Sequence, residues 1–423
     1  MAFGRIPRFS PSFSPSEAWI CTKHLIGMGG SDPLVPQFEQ AFASFIGAKH
    51  GIMVPSARYG LYLLLEALGV GEGDEVIMPG LTYFAIPAMV ELLGAKPVFA
   101  DIGLDTHVLD PEEFRNAITE KTKAVIPTHL FGTPCDMGSI NAIAKEHGIE
   151  VIEDCAQSTG ARYRGKRVGA IGGHAYYTFG LTKNITTLSG AMVTTDDDAV
   201  ANKIRNVINR SGPAVRSKAV KEAATGVAMF LATHPWVYWW SVHPAIVMGN
   251  ALGKDPIHER FGEAERTYEK VPESYLEHAQ ARDVQAAVGL KQLDRIEQLN
   301  GSRIRNGRAL DEGLAHVPGL TVPTYPEGSE PIYMSFVVHH PDRDALMAAL
   351  RKRGVDTTTG YMSDLSDHPL FQSFSRPCPN ATKAMKELLH IPVHPNLREA
   401  EVSHLIEAVR AATLETTPNS GVS

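Results

Sequence analysis

The chain has 423 residues, 43% of them hydrophobic and 21% charged, with a formal net charge of −7. These values fit an ordinary globular protein built as two or three domains, or as one large α/β domain with an appendage. The acidic balance argues against nucleic acid or an anionic membrane as the main partner, so no nucleic-acid role is expected.

The first sixteen residues are rich in Pro, Ser and Phe and lack the apolar core of an export signal. No apolar run approaches the ~20 residues of a membrane span. Cys21, Cys135, Cys155 and Cys378 show no metal-binding spacing. The expectation is a cytoplasmic protein with reduced thiols and no metal.

Residues 35–46 place apolar side chains at helical spacing and stop at Gly47, and 51–54 read as a short strand. Ser56-Ala57-Arg58 then opens a helix that closes at Gly69. A strand at 75–78 ends at Pro79-Gly80, and Tyr83 opens a helix closed by Gly94. Further strands are expected at 96–100, 122–127 and 150–153, with a helix at 139–147 between the last two. Such alternation implies parallel pairing in a sheet covered on both faces, with the functional crevice at the strands' carboxyl ends. Ser56, Tyr83, His129 and Asp154 all fall at or just after a strand, on that edge.

From about 205 to 277 the alternation is lost, and Trp236, Trp239 and Trp240 crowd into five residues between Pro235 and Pro244. It resumes with a long helical pattern at 284–306, strands near 320–322 and 333–338, and helices at 343–353 and 399–412. This reads as a smaller α+β domain followed by a polar tail from Thr416.

Two segments carry chemistry. Glu153-Asp154-Cys155-Ala156-Gln157 closes an apolar strand, and Thr178-Phe179-Gly180-Leu181-Thr182-Lys183 precedes the β-like run 191–195. A lysine at one end of a pocket and a carboxylate at the other suits pyridoxal phosphate. The lysine forms a Schiff base, and the carboxylate keeps the pyridine nitrogen protonated. Each residue has a plainer alternative. Lys183 alone is a surface lysine, Asp154 an N-cap, Gln157 an exposed helical residue and Tyr83 a core aromatic. The Ser56-Ala57-Arg58 turn offers a helix N-terminus to a phosphate, with Thr178 as a further contact.

With these residues in place the chain resembles the DegT/DnrJ/EryC1/StrS sugar aminotransferases, fold-type-I enzymes that use pyridoxal phosphate. The likeness spans about residues 7–411. It rests on 36–39, 73–79, Thr128-His129-Leu130-Phe131-Gly132, 151–157, Thr182-Lys183-Asn184, Gln285-Ala286-Ala287-Val288-Gly289 and 389–395.

The resemblance implies a large domain (35–277) with a mostly parallel seven-stranded sheet between helices. An N-terminal segment (1–34) precedes it, a Trp-rich insertion interrupts it at about 214–265, and a smaller C-terminal α+β domain (278–423) follows. It further implies Lys183 as Schiff-base lysine and proton shuttle, Asp154 at the pyridine nitrogen and Gln157 near the ring oxygen. Tyr83 would stack on the ring, and Ser56, Ala57 and Thr178 would hold the phosphate. A homodimer with shared active sites is also implied.

Departures from the family's pattern stand beside these matches. Arg58 occupies the threonine position of the family's Ser-Gly-Thr turn, and Leu188-Ser189-Gly190-Ala191 replaces a Gly-Glu-Gly-Gly loop. His278 falls where the family's cross-subunit asparagine stands. The expected reaction is amino transfer from glutamate or glutamine to a keto-sugar, nucleotide-linked in the leading version. A cyclitol ketone or a more apolar, lipid-like oxo-compound is the alternative acceptor. The related sugar dehydratases typically carry histidine at the lysine position, which Lys183 does not match. The Trp236–Trp240 segment is read either as packing on its own or a second subunit, or as a docking face for a membrane surface or a protein.

Overall fold

The computed structural model describes residues 6–10, 12–28, 33–212, 216–233, 270–276, 279–360, 362–374 and 376–417, together with Val237 and Trp240. Its centre is a seven-stranded sheet. In chain order the strands are β1 (His50–Val54), β2 (Glu75–Pro79), β3 (Lys96–Ala100), β4 (Thr122–Val125), β5 (Glu150–Asp154), β6 (Gly173–Thr178) and β7 (Ala191–Thr195). Across the sheet their order is 1-7-6-5-4-2-3. Strands β2 to β6 pair in parallel, and β7 is antiparallel to both its neighbours. Strand β1 therefore points the same way as β6, and six strands present their carboxyl ends to one edge. Every residue of β2 and β7 is buried, as helix-covered strands require. This is the α/β, fold-type-I architecture that the sequence suggested.

A smaller core lies towards the C-terminus. The antiparallel pair β8 (Phe336–His339) and β9 (Leu388–Ile391) buries Phe336 and Val338 against Leu346, Leu350, Leu405 and Val409. Leu310 and Leu314 of the Ile296–Leu314 helix join this cluster. The chain's beginning is stitched into it too. Ile6 N–H donates to the Gly354 carbonyl at 2.8 Å, and Arg8 grips Asp356 through two 2.8 Å bonds.

Several elements escaped the sequence reading, among them β6 and two helices. Strand β6 starts at a glycine and mixes His, Ala and Tyr, so only its pairing on both sides makes it a strand. The helices Pro15–Leu25 and Arg216–Thr233 pack on each other, so closely that a Cβ on Gly226 would lie 2.7 Å from Cys21 Sγ. The long helical pattern at 284–306 divides into Asp283–Leu293 and Ile296–Leu314. The break turns Arg295 towards buried Glu17 and the Ser12 carbonyl, the latter at 3.1 Å. Of 320–322, only Thr321 pairs, in an isolated bridge to His339.

No helix among the described residues is long and apolar enough to cross a membrane. Trp236 and Trp239 lie outside the described residues, and Trp240 is 75% exposed. All four cysteines are free and buried.

One buried carboxylate ties the sheet's carboxyl edge together. Glu153, fully buried on β5, accepts the backbone N–H groups of Gly169 (2.7 Å), Ile171 (2.8 Å) and Gly172 (2.6 Å) and His129 Nε2–H (3.0 Å). Replacing Glu153 by Ala strands four donors. We expect a loss of about 3–5 kcal/mol in urea-induced unfolding; a loss under about 1 kcal/mol would show that water or a rearranged loop satisfies them instead.

Candidate active site

The carboxyl ends of β1, β2, β4, β5 and β6 converge on a cavity of about 650 Å³. Each strand delivers one contribution to its wall: Ser56 after β1, Tyr83 after β2, Thr128 after β4, Asp154 at the end of β5 and Thr178 at the end of β6. Gly190, at the start of antiparallel β7, closes the row.

Ser56 caps the Ala57–Ala67 helix, its side chain accepting the Tyr59 N–H at 3.4 Å. The first-turn N–H groups of that helix, at Ala57 and Arg58, have no intrahelical acceptor by geometry. They stand at the cavity wall with a positive dipole end.

Asp154 is 3% exposed. Its Oδ1 accepts the Ala156 N–H at 2.9 Å. Burial pushes its pKa up, against the Ala156 bond, the Tyr176 phenol and the Lys183 charge, all of which favour the carboxylate. Lys183 lies across the cavity in the loop between β6 and β7. Backbone bonds set that loop: Phe179 N–H to the Gly190 carbonyl (3.0 Å), Thr187 N–H to Phe179 (3.1 Å) and Lys183 N–H to Gly180 (3.1 Å). Asn184 anchors it further by donating to the buried Thr159 carbonyl at 2.7 Å. Burial lowers the Lys183 pKa, and Asp154 partly offsets this. The amine is thus easier to deprotonate than a surface lysine, which is what a nucleophilic amine needs.

Gln157 is oriented by a backbone donor. Its Oε1 accepts the Phe131 N–H at 3.0 Å, so the amide NH2 must face the other way. Among the described residues, that NH2 meets Met362 Sδ alone, at 3.8 Å. Gln157 and Met362 both line the cavity.

Opposite the sheet edge the cavity is roofed by the Arg216–Thr233 helix, which contributes Lys218, Lys221, Glu222 and Thr225. Glu222 takes Arg282 Nε at 2.6 Å and also binds Ser189 Oγ. Gln285 Nε2 donates to Ser189 Oγ at 2.7 Å and to Glu222 at 3.3 Å, and with the Ser189–Glu222 bond this locks the roof to the lysine loop. Leu188, next in that loop, has φ 74, a left-handed conformation unusual for leucine.

Some expected contributors lie elsewhere. His129 is fully buried below the cavity: Nε2–H donates to Glu153 and Nδ1 accepts the Cys135 N–H at 3.0 Å. Its neighbour Thr128 takes its place in the wall. His129, Glu153 and Cys155 bring ligand-type atoms within 4.8 Å of one another, but the hydrogen bonds of His129 and Glu153 already occupy the imidazole and both carboxylate oxygens. The Arg58 guanidinium stacks on Tyr275, 4.4 Å from the ring centroid, so Arg58 meets the cavity from a braced position. His278 lies outside the described residues.

The sequence profile of the DegT/DnrJ/EryC1/StrS aminotransferase family matches residues 24–232 and 263–410. The chain belongs to that family. Like the family, it is a pyridoxal phosphate-dependent aminotransferase. The break in the match, at 233–262, contains the tryptophan cluster. The spore coat polysaccharide biosynthesis protein SpsC of Bacillus subtilis is 32% identical over 388 residues, 89% of each chain. A pleiotropic regulatory protein of Geobacillus stearothermophilus is 34% identical over 380 residues, covering 89% of this chain and 88% of its own. Among solved structures, an aminotransferase from Psychrobacter cryohalolentis superposes with a TM-score of 0.77 at 27% identity, over 97% of this chain and 99% of that one. DesV of S. venezuelae gives 0.74 at 27% identity, over 96% and 99%.

Within this aminotransferase, sequence reasoning missed Glu222, Arg282, Ser189 and Gln285. Ser189 and Gln285 sit in segments already singled out, but Glu222 lies in a helix whose place over the cavity is set by long-range packing alone.

Two measurements address the lysine. Lys183→Ala should remove the visible absorbance of covalently attached cofactor and slow amino transfer by roughly 10²–10⁴-fold; retention of that band would place the attachment elsewhere. Protonation of Lys183 should stop its modification by an amine-directed reagent as pH falls through its lowered pKa. Asp154→Asn removes the charge that favours the ammonium, so the midpoint should move to lower pH. A midpoint moving upward would contradict the assigned coupling.

Proposed function

We propose that the protein transfers an amino group from glutamate or glutamine to a nucleotide-linked keto-sugar, with Lys183 as the catalytic residue. The observation that carries this reading is the placement of Lys183 and Asp154 in one 650 Å³ cavity, with a helix N-terminus at Ser56–Arg58. A cavity of that volume falls in the range of about 300–1,000 Å³ typical of sites that enclose a sizeable small molecule.

The donor set suits pyridoxal phosphate. Buried Asp154 gains from a cationic N–H, the free first-turn N–H groups at Ala57 and Arg58 suit a dianion, and the Gln157 NH2 suits an oxygen acceptor. Bound there, the cofactor supplies an electron sink for the carbon that exchanges its amino group. Asp154 would keep the pyridine nitrogen protonated, and the Ala156 N–H holds the carboxylate in place for it. Ser56, Ala57, Arg58 and Thr178 would hold the phosphate, and Tyr83 would lie against the ring. Lys183 would attach the cofactor and then, through Nζ, carry the proton between substrate and cofactor carbon. His278 and a homodimer with shared sites belong to the same proposal.

The acceptor reading rests on the roof. Lys218 and Lys221 line the mouth of the cavity and suit a phosphate-bearing substrate. Lys221→Glu should lower kcat/KM for a nucleotide-linked keto-sugar by about threefold to tenfold, the effect of an exposed charge, and should flatten its salt dependence. The decisive screen incubates the cofactor-loaded enzyme with glutamate or glutamine and then with a panel of ketones. Turnover of a free cyclitol ketone alongside inert nucleotide-linked sugars would overturn this acceptor.

A further inference from the structure

A second, smaller cavity of about 150 Å³ opens beside the first. Gln157, Thr182, Lys183 and Met362 line both, so the two meet at the catalytic lysine. The rest of its wall comes from the C-terminal part of the chain, notably Arg303, Ser335, Thr358, His390 and His394, with Arg8 from the N-terminus.

Arg303 has no role in the main cavity. It is 2% exposed, and among the described residues its Nε has no hydrogen-bond partner and its Nη1 reaches only the Met334 carbonyl, at 3.4 Å. Burial brings its pKa down to about 10. No ion pair to Arg303 occurs among the described residues. Asp356 is already taken by Arg8 through two 2.8 Å bonds. His394 contributes no charge: burial first, and Arg303 second, bring its pKa to about 4. His390 is likewise kept neutral by burial, with a pKa of about 4, and its Nδ1 lies 2.5 Å from Ser335 Oγ. Arg303 is thus a buried guanidinium without a counterion among the described residues, facing a cavity whose other cationic groups are Arg8, already paired with Asp356, and Lys183. Burial of an unpaired charge is costly and calls for an anion from outside. Guanidinium geometry favours a planar carboxylate or a phosphate, and the small volume favours the carboxylate.

We propose that this second cavity is the subsite for a carboxylate of the amino donor, with Arg303 as its charge partner. The proposal rests on the amino-transfer reading above and adds the donor's place to it. Both half-reactions must use the one lysine, and the geometry lets them: the bulky acceptor enters from the Lys218–Lys221 side, and the small anionic donor reaches Lys183 from the Arg303 side. An amine without a carboxylate would leave Arg303 unpaired and should be a poor donor.

The test uses the cofactor-loaded enzyme and two unreactive probes of nearly equal size, glutarate and the neutral glutaramide, titrated calorimetrically. Wild type should bind glutarate about 100-fold tighter than glutaramide, the scale of a charged hydrogen-bonded contact. Arg303→Gln should erase that preference, and Arg303→Lys should recover part of it, with the cofactor absorbance unchanged in both. In kinetics, Arg303→Gln should raise KM for glutamate about 100-fold and leave KM for the keto acceptor in the return half-reaction unchanged. Equal binding of the two probes by wild type would overturn the proposal without any need for a folded variant. So would unaltered glutarate binding in Arg303→Gln. If glutarate binding depends on Arg303 but no amino acid converts the cofactor, the carboxylate subsite stands and the amino-transfer reading falls.

Discussion

Two consecutive carboxylates leave the end of β5 on opposite sides of the sheet, and most of the site follows from that alternation. A strand's side chains point to alternate faces. Asp154 therefore enters the cavity while Glu153 turns into the layer behind it. Glu153 gathers three backbone N–H groups from the turn that leads into β6 and the imidazole of His129 that follows β4. A buried carboxylate is tolerable only with such a full set of donors. Once satisfied, it fixes β4, β5 and β6 relative to one another. Those strands carry Thr128, Asp154 and Thr178 to the wall, so the structural acid sets the spacing of the chemical one.

The lysine loop shows how a departure in sequence is absorbed in structure. At the position where the resembling proteins carry the first glycine of their loop, Leu188 keeps a left-handed backbone at φ 74. That conformation costs a non-glycine residue roughly 1–2 kcal/mol. Leu188 offsets the strain by packing with Phe13, Cys21 and Val288 in the small cluster under the roof helix. One residue on, serine stands where the resemblance would place glutamate, and a carboxylate from another helix reaches that serine. Glu222 comes down from the Arg216–Thr233 helix to bond Ser189, Arg282 and Gln285. The N-terminal helix, the roof helix and the lysine loop thus form one packed unit, and a change in any of them moves the wall of the cavity.

What could be read from the sequence was whatever local chemistry announces. Strands ended by Pro79-Gly80 and helices closed by Gly47, Gly69 and Gly94 mark themselves by turn residues, and apolar runs such as 149–152 mark buried strands. Asp154, Gln157, Thr178, Lys183, Tyr83 and the Ser56–Arg58 turn do line one cavity. The direction of His129 was not legible, because its role is set by a residue on the neighbouring strand. Strand β6 was hidden because its glycine start and mixed side chains give no period, and its partners lie thirteen or more residues away on either side. Glu222 and Arg303 sit in helical stretches where a charged residue ordinarily faces water. Nothing local distinguishes a guanidinium at 2% exposure from one in solvent.

Arg303 also explains why the two parts of the chain must meet at the lysine. The large sheet supplies Asp154, Lys183 and the helix N-terminus, the groups proposed to seat the cofactor, while the cation proposed for the donor's carboxylate comes from elsewhere. The C-terminal core supplies that cation, on the same Ile296–Leu314 helix whose last turns, at Leu310 and Leu314, anchor β8 and β9. Arg8 and Asp356 clamp the N-terminal segment across the same region, beside the isolated Ile6–Val355 bridge. Gln157 and Met362 then stand at the boundary between the two cavities, the first oriented by Phe131 and the second by its contact with the amide. A side chain that fixes the boundary of two subsites sharing one amine controls how far each substrate can advance towards it. Selectivity for both donor and acceptor therefore depends on packing between the two cores as much as on the residues that touch either ligand.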